Sequence, residues 1–244
     1  DVDRYNDNAA AAYRFNILQN ETKIIIDVDV IHVGEDAVVN ITFNDDATGN
    51  VTIYVGDKEF NRTIVDHRVN VTVSGLAYGN YTVVVNYLGD ENYTRSSNSS
   101  KQVVIKNDIN VTVIENATIL TTDSIIVKVN ISANINTTVK LTVNELNYTV
   151  DITNGEGELK LSNLANGTYS IQALFAGDEK YLANASNIIT VKVNKAPTEL
   201  TINTTDVIVV GTDALINIKL NETINATVVV RVNGTEYNVA IVNG

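Results

Sequence analysis

The stretch GNYTVVVNYLGDENY, residues 79–93, decides the fold of this chain. It begins with alternating apolar and polar residues and ends in a turn, GDEN, whose two acids lie between Tyr87 and Tyr93. Paired acids beside aromatic rings occur in sugar sites, in calcium sites and in glycosidase active sites. They also occur in ordinary turns between strands. The rest of the chain distinguishes these meanings.

The same stretch recurs later in the sequence. Residues 73–105 align without a gap on residues 161–193, at an offset of 88, so that GDENY meets GDEKY at 177–181. The residues identical in both copies are Ser74, Leu76, Ala77, Gly79, Tyr81, Gly89, Asp90, Glu91, Tyr93 and Val103. A third, partial copy follows, because VNELNYTVDITNG at 143–155 resembles VNGTEYNVAIVNG at 232–244. Acids that recur at the same turn of each copy indicate architecture rather than catalysis.

Hydrophobic periodicity gives the fold class. Val51, Ile53 and Val55 alternate with polar or amphipathic neighbours, and the same alternation recurs along most of the chain. This pattern is typical of strands with one buried and one wet face. Turn clusters interrupt the runs about every 8–12 residues, as in antiparallel sandwiches. The sequence therefore predicts an all-β fold of tandem immunoglobulin-like β-sandwich repeats of about 88 residues.

The motif Leu76-x-x-Gly79-x-Tyr81, repeated as Leu164-x-x-Gly167-x-Tyr169, supports this fold. A tyrosine just after a turn, at the start of the sixth strand, is typical of a tyrosine corner, whose hydroxyl bonds back to the turn backbone. In the turn that follows, we expect Gly89 to provide the bend, and Asp90 and its neighbour Glu91 to be solvated. We expect Tyr93 to pack back as the next strand begins.

The repeats predict the organisation of the chain. Residues 5–17, YNDNAAAAYRFNI, align on residues 93–105, although the alanine run also favours a helix as the alternative. Short linkers between repeats favour a semi-rigid rod. The expected segments are the last turn and strand of a preceding repeat at 1–20, complete repeats at 21–107 and 108–195, and the first half of a further repeat at 196–244.

The pattern G-x-Y-x-x-x-x-x-[YF]-x-G-D-x-x-Y, followed by a polar stretch and a valine-rich strand, resembles the bacterial and archaeal Ig-like (Big-type) repeats of large surface proteins. It is most similar to the adhesin-like proteins of methanogenic archaea, over nearly the whole chain. The resemblance implies stalks that project from the cell wall, an extracellular location, and cell-surface or host ligands bound through regions outside this chain. Composition and spacing alone indicate only a tandem β array.

Glycosylation sequons, Asn-x-Ser/Thr, are frequent, and a coat of glycans would shield strand edges. The alternative is that strands rich in Asn and Thr create such triplets automatically, since Asn and Thr of an N-V-T triplet both point outward. The predicted sites are Asn20, Asn40, Asn50, Asn61, Asn70, Asn80, Asn92, Asn98, Asn110, Asn116, Asn130, Asn136, Asn147, Asn166, Asn184, Asn203, Asn221, Asn225 and Asn233.

Charge and composition exclude several classes of function. The net charge is -12, from 29 acids and 17 bases, which argues against nucleic acid and anionic lipid as partners. The absence of cysteine excludes disulfides and thiolate metal sites. No apolar run approaches the length of a membrane span.

Catalytic, metal and cofactor sites are not expected. His32 and His67 are not in metal-ligand spacing, and no G-x-S-x-G motif is present. Acids at alternate positions from Asp1 to Asp7 resemble the start of a calcium loop but lack its glycine and distal glutamate. Weak calcium binding at the paired acids Asp90/Glu91 and Asp178/Glu179 is an alternative to solvated turns.

These observations favour a non-enzymatic, extracellular structural or adhesive stalk of a cell-surface glycoprotein. One alternative is a self-assembling surface filament or sheath subunit, associating end to end by β-strand complementation. Another is a carbohydrate-binding module, for which Tyr54 and Tyr13 are the outward aromatic candidates. The sequence leaves open the ligand, the repeat number, the occupied sequons, the mode of anchoring, and the choice between monomer and polymer.

Overall fold

The computed structural model describes residues 17–44, 46–114 and 118–244, and within these ranges it contains strands and turns but no helix. The predicted all-β class is therefore confirmed for the described residues. The predicted strand at 1–20, and its helical alternative, lie outside them except for the last four residues. Of these, Asn20 forms an isolated parallel bridge to Tyr93.

The chain divides into two compact units. The first contains the described residues up to Asn110 together with Phe175–Asn184, and the second contains Val111–Leu174 and Ala185–Gly244. Because two complete repeats were predicted at 21–107 and 108–195, we refer to these ranges as the first and second repeat. Residues 196–244 are called the C-terminal segment.

The first repeat is a sandwich of two sheets. Its strands are β1 (Ile25–Val28), β2 (Ile31–His32), β3 (Ala37–Thr42), β4 (Asn50–Val55), β5 (Lys58–Thr63), β6 (Arg68–Val73), β7 (Gly79–Tyr87) and β8 (Ser96–Ile105). One sheet has the order β1-β3-β6, and the other has the order β2-β8-β7-β4-β5. All pairs are antiparallel except β2 with β8. Seven strands in two sheets, with the first strand divided between them, are typical of an immunoglobulin-like sandwich.

The second repeat follows the same plan. Its strands are β9 (Val111–Ile114), β10 (Thr118–Leu120), β11 (Ile125–Ile131), β12 (Thr137–Val143), β13 (Leu146–Ile152), β14 (Glu156–Leu161), β15 (Gly167–Phe175), β16 (Asn184–Ala185) and β17 (Ile189–Asn194). The sheet orders are β14-β11-β9 and β10-β17-β15-β12-β13, with β16 beside β15. Here too one pair, β10 with β17, is parallel. The two repeats thus confirm the prediction of tandem immunoglobulin-like sandwiches.

The alternation read from the sequence defines both cores. Val51, Ile53 and Val55 of β4 are buried against the opposite sheet, and so are the apolar residues of β12. Tyr87 and Tyr93 are also buried, as expected for the residues that flank the GDEN turn. β-branched side chains pack well on such pleated surfaces, which explains their abundance.

Both tyrosine corners form as predicted. The Tyr81 hydroxyl donates a 3.0 Å hydrogen bond to the Ala77 carbonyl oxygen. In the second repeat, the Tyr169 hydroxyl donates to the Ala165 carbonyl oxygen at the same distance. The hydroxyl thereby satisfies a turn carbonyl while the ring covers the edge of the core.

The last strand departs from the ungapped alignment. Gly79 is opposite Val104 in the first repeat, whereas Gly167 is opposite Val193 in the second. The offset is therefore 88 at the glycines but 89 in the last strand, and the matching of Val103 with Val191 was wrong by one residue. Since successive side chains alternate between faces, a one-residue error exchanges inward for outward positions.

A β-bulge accommodates the additional residue. Asn187 and Ile188 in the second repeat take the place of Ser99 in the first, and they separate β16 from β17. The preceding Ser186 is buried, and its hydroxyl oxygen accepts a 3.0 Å hydrogen bond from the backbone N–H of Ala173. The serine hydroxyl thus takes the place of the backbone carbonyl that would accept this N–H in regular strand pairing.

The corrected register places Gln102 in the core, at the position of Val191 in the second repeat. Gln102 is fully buried, and its Nε2 donates a 2.7 Å hydrogen bond to the Asp29 carbonyl oxygen, between β1 and β2. Its Oε1 is buried without a hydrogen-bond partner among the described residues. The amide therefore fixes the point where the first strand changes sheets, at the cost of one unpaired acceptor.

One hairpin turn of the first repeat lacks the glycine that its geometry favours. Asp66 and His67 both have positive φ, 47° and 56°, as the two central residues of a type I′ turn require. The equivalent residue pairs are Asn154–Gly155 in the second repeat and Asn243–Gly244 in the C-terminal segment, all with positive φ. Asn-Gly is the preferred pair for this turn. The first repeat therefore carries strain that the other copies avoid.

Replacing Asp66–His67 by Asn-Gly is expected to stabilise the first repeat by about 1 kcal/mol, because glycine removes the steric cost of positive φ. Thermal unfolding of the full chain, with hydrogen exchange to assign the change to a repeat, would measure this. The control His67→Ala keeps a Cβ at positive φ and is expected to give no gain. An equal gain from both variants would contradict the strain argument.

The C-terminal segment has an open inner face. Its strands are β18 (Leu200–Thr204), β19 (Ile216–Leu220), β20 (Ala226–Val232) and β21 (Thr235–Ile241), and they form only the pairs β18-β19 and β20-β21. By register, Val232 is equivalent to Val143, yet Val232 is 43% exposed and Val143 only 4%. The difference arises because, among residues 196–244, no strand covers β19 and β20 as β14, β15 and β17 cover β11 and β12.

Candidate functional site

The GDEN turn connects β7 to β8, as predicted, but Asp90 is not a solvated turn acid. Its Oδ1 accepts hydrogen bonds from the N–H groups of Asn92 and Tyr93, both at 2.8 Å. Its Oδ2 accepts the Thr48 N–H at 2.8 Å and the Thr48 hydroxyl at 3.1 Å. The carboxylate therefore joins its own turn to the loop before β4. Glu91, by contrast, is exposed as expected.

These contacts set the titration of the turn. Burial alone would raise the pKa of Asp90, but the hydrogen bonds from Thr48, Asn92 and the adjacent tyrosines outweigh it and hold the pKa well below its usual range. Burial and the nearby Asp90 carboxylate raise the pKa of Tyr87 to about 12. The Tyr87 hydroxyl donates a 2.9 Å hydrogen bond to the Thr48 carbonyl oxygen. The network thus requires an ionised Asp90 and a neutral Tyr87.

The depressed pKa of Asp90 predicts an acid-sensitive first repeat. The unfolded chain takes up a proton on Asp90 as the pH falls through about 4, while the folded carboxylate stays ionised. Stability from this group is therefore complete above about pH 5 and is lost progressively below it. The free energy of unfolding, measured from pH 6 to pH 3, should fall less steeply in Asp90→Asn. Identical slopes for the two proteins would contradict this assignment.

The second repeat retains only part of this network. The Asp178 Oδ1 accepts the N–H groups of Lys180 and Tyr181, at 2.8 and 2.6 Å, but no bond corresponds to those from Thr48. Phe175 replaces the tyrosine that precedes the turn. Both repeats therefore use an aspartate to close this turn. Only the first repeat links that aspartate to the loop before β4.

A groove on the outer face of the five-stranded sheet of the first repeat is the candidate binding site. It has a volume of about 520 Å³. Tyr54 of β4 and the 84% exposed Leu88 provide its apolar surface, and Arg95 lies at its edge. Polar side chains from three neighbouring strands complete it, namely Thr52, Asn86 and Ser97.

Hydrogen bonds orient the polar side chains of the groove. The Ser97 hydroxyl donates to Asn86 Oδ1 at 2.8 Å, and the Thr52 hydroxyl donates to Asn61 Oδ1 at 2.8 Å. Because its oxygen faces Ser97, the Asn86 amide directs its Nδ2 donor away from that pair. Sequence analysis identified Tyr54 as outward but missed Arg95 and Asn86, which only the strand register brings beside it.

The predicted glycosylation sites lie mostly on the surface. Asn116 falls outside the described residues; of the others, Asn130 and Asn184 are half-buried and the rest are exposed. Asn40 and Asn70 are directly opposite one another on β3 and β6, on the outer face. The expectation that strand sequons point outward therefore holds for these two, while occupancy stays a prediction.

Two sequons are sterically less suited to carry a glycan. The Asn98 Nδ2 donates a 2.7 Å hydrogen bond to the Ile24 carbonyl oxygen, and the Asn166 Nδ2 donates at 2.8 Å to the Val193 carbonyl oxygen. Both bonds are partly buried. A glycan attached to either nitrogen would have to fit beside backbone that is already in contact with it.

Neither histidine belongs to a cluster of metal-ligating groups. The His32 Nδ1 lies 3.6 Å from a Glu35 carboxylate oxygen, and His67 lies in the strained turn before β6. Within the described ranges, no group of three or more His, Asp or Glu side chains could hold a metal ion. The candidate calcium loop from Asp1 to Asp7 and the aromatic candidate Tyr13 lie outside those ranges. The described part of the chain also has no helix long and apolar enough to cross a membrane.

Comparison with protein-family models finds no match, and comparison with curated proteins finds no similar sequence. Among solved structures, the fibronectin(III)-like modules of Clostridium thermocellum CbhA are 16% identical, with 71% of this chain and 94% of that chain covered and a TM-score of 0.30. Escherichia coli alpha-2-macroglobulin activated by porcine elastase is 11% identical, with 92% of this chain and 25% of that chain covered and a TM-score of 0.33. Both scores are too low to bear on function, and the fold assignment rests on the strand order described above.

Proposed function

We propose that this chain is a load-bearing, non-enzymatic part of an extracellular cell-surface glycoprotein, in which Ig-like repeats form a stalk. The sequence resemblance to the repeats of methanogen adhesin-like proteins supports this proposal. The observation that carries it is the parallel pairing of the first and last strands in each complete repeat. In the first repeat, Ile31 and His32 are opposite Val104 and Ile105. In the second, β10 pairs with β17 in the same way.

Parallel terminal strands resist stretching. Tension on a stalk pulls the two ends of each repeat in opposite directions, so parallel neighbours are loaded along their length and their hydrogen bonds must break together. Antiparallel neighbours loaded from one end separate one bond at a time. The Val33 N–H adds a 2.9 Å hydrogen bond to the Ile105 carbonyl oxygen, and the Thr121 N–H adds an equivalent 2.8 Å bond to Asn194. Stretching resistance suits a stalk and has no evident use in a soluble binding module.

Single-molecule pulling of the full chain tests this role. Val33→Pro removes one N–H donor of the parallel pair in the first repeat, and Thr121→Pro does so in the second. Each variant should lower the unfolding force of one repeat only, and the double variant should lower both. Val65→Pro is the control, since the Val65 N–H bonds to the Arg68 carbonyl oxygen in a hairpin turn and its side chain is exposed. Forces that fall equally in the control, or do not fall at all, would refute the load-bearing role.

The surface location and glycosylation are tested on cells that produce the protein. Limited proteolysis of intact cells should release peptides of this chain. Glycopeptide mass spectrometry should find glycans at exposed sequons such as Asn40, Asn50 and Asn70. The partly buried amides of Asn98 and Asn166 should be unmodified. Peptides released only after lysis, or unmodified peptides throughout, would refute the extracellular glycoprotein.

A further inference from the structure

The two repeats carry different side chains on the outer face of the five-stranded sheet, where packing of the core imposes no requirement. By register, Tyr54 is equivalent to Thr142, and Asn86 to Leu174. The same offset places Ala183 at the position of Arg95. The second repeat therefore folds with neither the ring, the amide nor the guanidinium. These side chains are not needed for the sandwich, and their convergence on one groove requires another explanation.

The charge of the groove indicates the charge of its ligand. The chain carries a net charge of -12, yet no carboxylate among the described residues lies within ion-pair distance of Arg95. Arg95 is the one charged side chain among the residues that line the groove, so its guanidinium can meet an external anion. Its planar donors match the two oxygens of a carboxylate.

The remaining lining matches a sugar ring. The Tyr54 ring and the Leu88 side chain offer an apolar surface on which the C–H face of a pyranose can pack. Beside them, the Asn86 Oδ1 accepts a hydrogen bond from Ser97. The Asn86 Nδ2 has no acceptor among the described residues. A hydroxyl group packed over Tyr54 would provide that acceptor. An apolar patch with a few fixed polar groups is the usual composition of a small-ligand site.

We propose that this groove binds an acidic oligosaccharide, with a uronic acid residue whose ring packs on Tyr54 and whose carboxylate pairs with Arg95. The Asn86 amide donates to a ring hydroxyl. The site gives the first repeat a recognition function that is independent of the proposed load-bearing role. The second repeat has none of these three groove residues.

Isothermal titration of the full chain with tetragalacturonic acid, and with its methyl ester, tests the proposal. The acid should bind, and the ester should bind at least about tenfold more weakly, because the ester cannot form charged hydrogen bonds with Arg95. The ester keeps the sugar rings and removes only the charge. Equal affinity for the two would refute the role of Arg95, and no binding of either at millimolar concentration would refute the site.

Variants that copy the second repeat separate binding from folding. Tyr54→Thr and Arg95→Ala introduce the residues found at the equivalent positions, where the same fold tolerates them. Tyr54→Thr should weaken binding of both ligands by about tenfold or more, and Arg95→Ala should abolish the preference for the acid. Arg62→Gln, on β5 and outside the groove lining, makes a similar change in net charge and should have no effect. Unchanged binding in Tyr54→Thr would overturn the proposal.

Discussion

Replacement of Gly89 by alanine is expected to destabilise the first repeat by about 3 kcal/mol. Gly89 has φ +86°, a conformation that costs other residues about 1–2 kcal/mol. A Cβ at this position would lie 2.7 Å from the Tyr93 carbonyl oxygen and 2.9 Å from the Arg95 backbone nitrogen. Both atoms are backbone, so the turn would have to open to relieve the overlap. Denaturant unfolding, with hydrogen exchange to resolve the repeats, would measure the loss.

Two matched variants separate the contributions. Gly177→Ala makes the same change in the second repeat, where a Cβ would lie 2.8 Å from the Ala183 backbone nitrogen, and a similar loss is expected there. Gly75 also has positive φ, +69°, but open space surrounds its Cβ position. Gly75→Ala should therefore cost only about 1–2 kcal/mol. If all three variants cost the same, the close approach of the backbone has no role.

Removal of the Asp90 carboxylate is the second large change. Asp90→Ala is expected to cost the first repeat about 2–3 kcal/mol, because hydrogen bonds to charged groups contribute about 1.5–3 kcal/mol each and water can replace the exposed ones. Asp90→Asn should recover only part of this. Its oxygen can still accept from the N–H groups of Asn92 and Tyr93, but its NH₂ would face the Thr48 N–H. Thermal and denaturant unfolding of both variants would give the two values.

Asp178→Ala provides the internal comparison. Asp178 accepts two N–H groups of its own turn and none from the loop before β12, so its loss should cost about 1 kcal/mol less than that of Asp90. Thr48→Val would complete the test by removing only the hydroxyl donor. Equal losses for Asp90→Ala and Asp178→Ala would show that the link to Thr48 contributes nothing.

Local pattern was enough to predict the sandwich. Alternation placed Val51, Ile53 and Val55 inward, and the spacing from Gly79 to Tyr81 predicted the tyrosine corner. These features depend on neighbouring residues in the sequence, where strand periodicity and turn chemistry act. The GDENY stretch was read correctly as a turn for the same reason, since its repetition is visible without any long-range contact.

Long-range relations were less accessible. The partner of Asp90 is Thr48, some forty residues earlier, and no local signal connects them. The groove around Tyr54 likewise depends on strands that meet only in the folded sheet. The slip at Val103 has a different cause: valine or isoleucine occupies every position from 103 to 105, so sequence identity could not fix the phase. Gln102 favoured the wrong phase, because a polar residue matches the outward Thr190 better than the buried Val191 that it replaces.

Gln102 also bears on how neighbouring repeats avoid exchanging strands. Tandem domains of similar sequence are prone to misassembly, in which one domain incorporates a strand of the next. If β17 closed the first repeat, Val191 would occupy the place of Gln102 and leave the Asp29 carbonyl oxygen without its donor. A buried, incompletely satisfied amide lowers the stability of the finished sandwich but favours its own last strand over the neighbour's. We infer that Gln102 helps the first repeat to pair with its own last strand while the tandem repeats fold.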